Sequence, residues 1–287
     1  AAKIFKTPLF LEVNAPLALE RSEQPDEKLY LKKMAFALER WVCSNSFKTI
    51  VVSTPLKKYL VSQGVAEGQI VVMPNGVNPE KFYPQEKDER LMTQLGIDQH
   101  DVVIGFTGVL RHWHGLEMLL EAFSHLNEHH KNIFLLIVGD GPIRGELDAQ
   151  ISTYGLPDKV KITGRIPYDN VQEYVNLFDI AVSPKATFYA SPMKVIEYMA
   201  LGKAVVVPNG ENFLDLVEEH VTGVVFATDS SKDLRVKLAY LLDNKALSTD
   251  IGNNAIKKIT TRLNWQWNAN ETCSMLMRSK HGTDCNS

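Results

Sequence analysis

Nine short apolar runs, rich in β-branched residues, punctuate this chain, and most are followed by a stretch of helical period. They are Leu9–Val13, Thr49–Val52, Gln69–Met73, Val102–Phe106, Ile133–Val138, Val160–Ile162, Ile180–Val182, Ala204–Val207 and Gly223–Phe226. A strand with one wet face alternates apolar and polar residues. These runs are near-continuous, which predicts strands covered on both faces. Between them, Leu116, Leu119, Leu120, Phe123 and Leu126 form a single stripe at helical spacing. Thr54-Pro55 and Ser191-Pro192 each place a capping residue type before proline and each predicts a helix start. Alternating strands and helices mean an α/β fold with a mainly parallel sheet.

At 287 residues the chain is long enough for about two domains. Residues 97–260 hold the elements of one complete doubly wound domain. Residues 1–76 hold only about three strands, a partial Rossmann-like domain. Between them, 77–96 reads as a linker: it follows the Asn75-Gly76 turn and contains Pro79, Pro84 and the charged run Glu86–Arg90. The final stretch, 261–287, carries Trp265 and Trp267 and is expected to form a helix that packs back on the N-terminal domain.

Apolar residues make up 45 % of the chain and charged residues 23 %, so a full core needs no disulfide or structural metal. A net charge of −3 argues against a nucleic-acid partner. Cys43, Cys273 and Cys285 are too scattered for a disulfide framework or a zinc site, and a reducing cytoplasm is expected. No apolar run approaches the roughly 18 residues of a membrane span. The start, Ala1 to Pro8, lacks the pattern of a signal peptide.

In open parallel sheets, ligands sit beyond the carboxyl ends of the strands. After Val102–Phe106 come Gly108, Arg111, His112, His114 and Gly115, then the amphipathic helix. The glycines allow close backbone approach, and Arg111 and His114 stand where an anion is already favoured. His112 and His114 alone, with no third ligand in view, do not make a metal site. Gly139-Asp-Gly-Pro142 is loosely like a phosphate loop, and a tight turn with Pro142 opening a helix also explains it without a ligand. The informative segment is Ser191-Pro-Met-Lys-Val-Ile-Glu197. Ser191 is expected to cap the helix, leaving the Met193 and Lys194 N–H groups free for an anion. Lys194 in the first turn opposes the helix dipole, a conflict that a bound phosphate would remove. Glu197 would then face a polyol as an acceptor.

Five segments together resemble the retaining glycosyltransferases of family 4, which have the GT-B fold. They are Pro74-Asn-Gly-Val-Asn-Pro-Glu-Lys-Phe82, the Gly108…Trp113-His-Gly115 turn, Val138-Gly-Asp-Gly-Pro142, Gly164-Arg-Ile-Pro167, and Ser191 through Lys203. The resemblance implies a nucleotide-sugar donor held mainly by the C-terminal domain, with the acceptor on the N-terminal side. It implies that Glu197 takes the ribose hydroxyls, that the backbone around Met193, Lys194 and Val195 holds the diphosphate, and that Ile166, beside Arg165, meets the base. The family requires no metal cofactor. The implied partners are a nucleotide sugar, with UDP and glucose favoured, and a saccharide or lipid-linked acceptor, with room for peripheral membrane contact.

The chain departs from the family pattern in three places. Tyr189 stands where the first glutamate of the family's Glu-x7-Glu falls. His114 and Val109 replace the diphosphate lysine and arginine, with Arg111 as the candidate substitute. Asn14 stands where a histidine often meets the donor sugar. Asn14 and Tyr189 are therefore expected to orient the sugar by hydrogen bonds, since neither titrates near neutral pH. A family member also has most of an acceptor domain before the strand at which this chain starts, which implies a fragment or a shortened member. The expected activity is hexosyl transfer with retention, in polysaccharide or glycolipid synthesis. The alternatives are a non-catalytic nucleotide-sugar-binding module and, disfavoured by the Ser191–Tyr198 helix, a GT-B epimerase.

Overall fold

In a computed structural model the described residues are 7–23 and 29–281, so Ala1 to Lys6 and Cys285 lie outside them. All nine apolar runs form strands. The chain divides into two compact units. The first comprises the residues up to Gly76, Phe188–Ser191 and the stretch from Trp265. The second comprises Val77–Thr187 and Pro192–Asn264. Among the described residues no helix is long and apolar enough to cross a membrane.

The first unit runs β1 (Phe10–Val13), α1 (Leu17–Glu23), α2 (Lys32–Ser44), β2 (Lys48–Val51), α3 (Thr54–Ser62) and β3 (Ile70–Val72). Its three strands are parallel in the order β1-β2-β3. Cys43, Val51, Leu56, Leu60 and Ile70 fill its core. The cap of α3 falls one residue earlier than the sequence suggests. Ser53 is extended and its side chain accepts from the Leu56 N–H at 3.3 Å, while Thr54 is already helical.

The second unit runs α4 (Glu89–Leu95), β4 (Val102–Thr107), α5 (Leu116–His129), β5 (Ile133–Val138), α6 (Arg144–Thr153), β6 (Val160–Ile162), α7 (Val171–Asn176), β7 (Ile180–Val182), α8 (Met193–Ala200), β8 (Ala204–Pro208), α9 (Glu211–Leu214), β9 (Val224–Phe226), α10 (Ser231–Asp243) and α11 (Lys245–Thr261). The last helix, α12 (Trp265–His281), belongs to the first unit, where Asn268 donates to the Pro74 carbonyl at 3.0 Å.

The second sheet is parallel throughout, in the order β6-β5-β4-β7-β8-β9. Strand order reverses between β4 and β7, the place where such sheets open a crevice. Successive strand residues point to opposite faces. Ile104, Phe106, Leu135 and Ile137 pack under the α5 stripe, while Val103, Phe134, Leu136 and Val138 share the opposite core with Ile196, Tyr198 and Met199 of α8. This double covering is why the runs are continuous rather than alternating. The segment read as a linker is part of this unit: Val77, Phe82 and Met92 are buried in the same core as α8.

Candidate functional site

A cleft of about 590 Å³ opens at the carboxyl ends of β4 and β5, beside the start of α8. Gly108, Arg165, Ile166, Lys194 and Glu197 line it, as do Thr107, Gly139, Asp140 and Tyr168. Two glycines make it possible. A Cβ on Gly108, whose φ is +142°, would lie 2.9 Å from the Lys194 ammonium. A Cβ on Gly139, with φ +145°, would lie 2.0 Å from the Gly108 carbonyl oxygen. Only glycine lets these two turns and the lysine share the space.

The Lys194 Nζ sits 4.0 Å from the Phe106 ring centroid and 3.5 Å from His114 Nδ1. Burial lowers its pKa to about 7, against an upward pull from Glu197. His114 is pushed down to about 4 by burial first and then by Lys194 and Arg111. It is a neutral acceptor at pH 7, so it does not supply the positive charge of the family's lysine. His112 points elsewhere, to Glu117 at 2.7 Å, so the two histidines do not converge.

Glu197 is 8 % exposed. Burial raises its pKa above the usual carboxylate range, opposed by the Tyr168 hydrogen bond and by Lys194. The Tyr168 hydroxyl donates to it at 2.9 Å. Burial and the adjoining carboxylate push that hydroxyl upward in turn, so it stays a donor. Lys81 lies 4.5 Å from the Tyr168 ring centroid and pairs with Asp169 at 2.6 Å.

One buried bond ties α8 to β4. The Tyr198 hydroxyl accepts from the Thr107 backbone N–H at 2.7 Å and lies 3.0 Å from Thr107 Oγ1. Neither Tyr168 nor Tyr198 carries a sequence signal for this role. Tyr168 sits in a single turn after Pro167, and Tyr198 reads as another core residue.

Three expectations at the helix start change. Pro192 takes the N-cap position and no side chain caps α8. The Ser191 hydroxyl instead accepts from the Asn75 N–H at 3.2 Å. The Val195 N–H donates to the Pro192 carbonyl at 2.9 Å and is not available to a phosphate, and the Val195 side chain is buried. Met193 and Lys194 stand at the first helical positions, where N–H groups have no intrahelical partner. Arg111 is exposed, outside the lining of the cleft, with its guanidinium 4.8 Å from the Trp113 ring centroid.

Asn14 and Tyr189 belong to the first unit. Asn14 is exposed and donates to Glu12 at 3.3 Å. Tyr189 is half-buried against the core of that unit, and its hydroxyl donates to Glu20.

A half-buried lysine, the first-turn amides of a helix and a buried carboxylate on one cleft suit a ligand carrying phosphate and hydroxyl groups. Residues 12–81 match the family described as Glycosyltransferase Family 4. An uncharacterized glycosyltransferase of Methanocaldococcus jannaschii is 26 % identical over 247 residues, 85 % of this chain and 63 % of that protein. A lipopolysaccharide 1,2-N-acetylglucosaminetransferase of Salmonella typhimurium is 29 % identical over 225 residues, 74 % of this chain and 57 % of that one. This chain thus spans less than two thirds of the length of these relatives. Among solved structures, Anabaena HepE in complex with UDP and glucose superposes with a TM-score of 0.79 at 20 % identity, covering 97 % of this chain and 73 % of that one. That likeness establishes the GT-B fold. Residues 87–258, more than half of the sequence, match the family described as Glycosyl transferases group 1, and to that family the chain belongs.

Proposed function

We propose that this chain transfers a hexose, glucose first, from UDP to a saccharide or lipid-linked acceptor with retention of configuration, in polysaccharide or glycolipid synthesis on the cytoplasmic side. The observation that carries the reading is Lys194 and Glu197, one turn apart on α8, facing a single cleft at the strand-order reversal. Lys194 and the start of α8 neutralise the diphosphate, and Glu197 accepts from the ribose hydroxyls. Arg165 and Ile166 meet the base. The HepE structure, with UDP and glucose, supports the choice of donor.

In the transfer, the acceptor oxygen bonds to the anomeric carbon as the bond from that carbon to the phosphate oxygen breaks. The departing UDP keeps the electron pair, and its phosphate takes the acceptor proton. Lys194 and the helix amides stabilise the charge that develops there, so the reaction needs no metal. Asn14 and Tyr189 orient the sugar. Calorimetric titration of UDP, GDP and ADP with metal chelated tests the reading: UDP binds most tightly, and Lys194→Met weakens it. Equal affinity for the three, or no effect of Lys194→Met, overturns it.

A second reading is a non-catalytic nucleotide-sugar-binding module. It is favoured by Tyr189, whose hydroxyl is engaged by Glu20 at the position where relatives carry a glutamate. Donor turnover in the presence of acceptor separates the two.

A further inference from the structure

The second unit has another cleft, at the opposite, amino-terminal ends of its strands, with a volume of about 620 Å³. It shares no lining residue with the first. Lys203, just ahead of β8, is 9 % exposed, and its ammonium donates to the Asn176 backbone carbonyl at 2.9 Å. An ammonium has three protons to place. Among the described residues no carboxylate lies within ion-pair distance of it. Asn176, at the end of α7, is 2 % exposed. Its Oδ1 accepts from the Gln85 backbone N–H at 3.1 Å. A backbone N–H can only donate, so this bond fixes which amide atom is oxygen, and Nδ2 is left buried with no acceptor.

The charges around these donors are uneven. Asp179 accepts from Lys87 at 2.6 Å and from the Val103 N–H at 2.7 Å. Asp101 pairs with Lys159 at 3.3 Å. Asp179 also pulls on Lys203 from beyond ion-pair distance. Counting Lys87 and Lys159 with Lys203 and Lys245, four cations stand against the three carboxylates Glu86, Asp101 and Asp179 around the cleft. Lys245 opens α11, whose first amides have no intrahelical partner and whose dipole is positive at that end. Buried donors are almost always matched by acceptors. Here, beside an open cleft, the buried Asn176 Nδ2 has no acceptor and the neighbouring Lys203 ammonium has a single backbone carbonyl among the described residues, and the surrounding charge favours an anion.

We propose that this cleft binds a small oxyanion, the phosphate group of inorganic phosphate or of a phosphate monoester, with Lys203 as its main contact and Lys245 at its mouth. Burial brings Lys203 down to about 8, so it is still mostly charged at neutral pH, and a bound anion relieves the cost of that burial.

The test is calorimetry on the full chain saturated with UDP, so that the first cleft is filled. Inorganic phosphate and glycerol 3-phosphate are titrated at fixed ionic strength, with chloride as control. One ion binds per chain. Lys203→Met keeps the buried stem and weakens binding roughly tenfold to a hundredfold, the effect of losing one charge-assisted contact. Lys245→Ala, at an exposed position that leaves folding intact, weakens it less. Binding of phosphate without glycerol 3-phosphate identifies the free ion as ligand, and binding of both a monoester. Equal heats for phosphate and chloride, or unchanged affinity in both variants, overturn the proposal.

Discussion

The Lys194 ammonium lies over the face of Phe106, 4.0 Å from the ring centroid, with neutral His114 as its hydrogen-bond partner. Among the described residues no anion contacts Lys194, and its folded pKa of about 7 lies below its ordinary value of 10.5. Between those values the unfolded chain holds more protons than the folded one, so stability rises with pH across that window. Lys194→Met removes this slope and raises the melting temperature of the ligand-free protein most below pH 7. A pH series of thermal melts reads both effects. An unchanged slope in the variant counts against the assignment.

The same lysine couples ligand binding to protons. A diphosphate beside Lys194 raises its pKa, so UDP binding above pH 7 takes up a proton and weakens as pH climbs. Titrations in buffers of different ionisation enthalpy measure the uptake directly. Lys194→Met abolishes it and costs roughly 1.5–3 kcal/mol of affinity.

Glu197 and Tyr168 act as a pair. Glu197→Gln weakens acceptance of the ribose protons, so 2′-deoxy-UDP loses affinity against wild type and little more against the variant. Tyr168→Phe removes the donor that orients the carboxylate and costs about 1 kcal/mol. If 2′-deoxy-UDP loses equally in wild type and Glu197→Gln, Glu197 does not touch the ribose.

Gly139→Ala and Gly108→Ala separate folding from binding. The first drives a Cβ to within 2.0 Å of a backbone oxygen and is expected to cost about 3 kcal/mol or more in denaturant unfolding. The second meets the flexible end of Lys194 at 2.9 Å, so it displaces the ammonium and lowers UDP affinity with a smaller loss of stability. The reverse order of destabilisation would contradict the packing described.

Tyr189→Phe tests the sugar pocket. It deletes the hydroxyl that donates to Glu20. Lower turnover with unchanged UDP affinity and unchanged melting temperature supports a role in orienting the sugar. A fall in melting temperature alone makes the residue part of the framework of the first unit.

Strands were legible because continuous apolar runs have few uses other than burial on both faces. Lys194 and Glu197 were legible because helical period and a misplaced charge are local signals. What escaped was non-local. Ser191 has the right chemistry for a cap, but its hydroxyl is taken by an amide 116 residues away. Ser53 and Thr54 are both capping types, and only the backbone angle of Ser53 decides between them. Tyr168 reaches Glu197 across 29 residues from a turn without period.

The bond from Thr107 to Tyr198 makes one backbone proton a gauge of the binding groups. Lys194 and Glu197 ride on the same helix as Tyr198, so their spacing from the β4 turn holds only while that hydroxyl accepts the Thr107 N–H. Exchange of this single amide with heavy water therefore times the excursions of α8. A ligand that grips Lys194 and Glu197 holds α8 against the end of β4 and so slows that exchange.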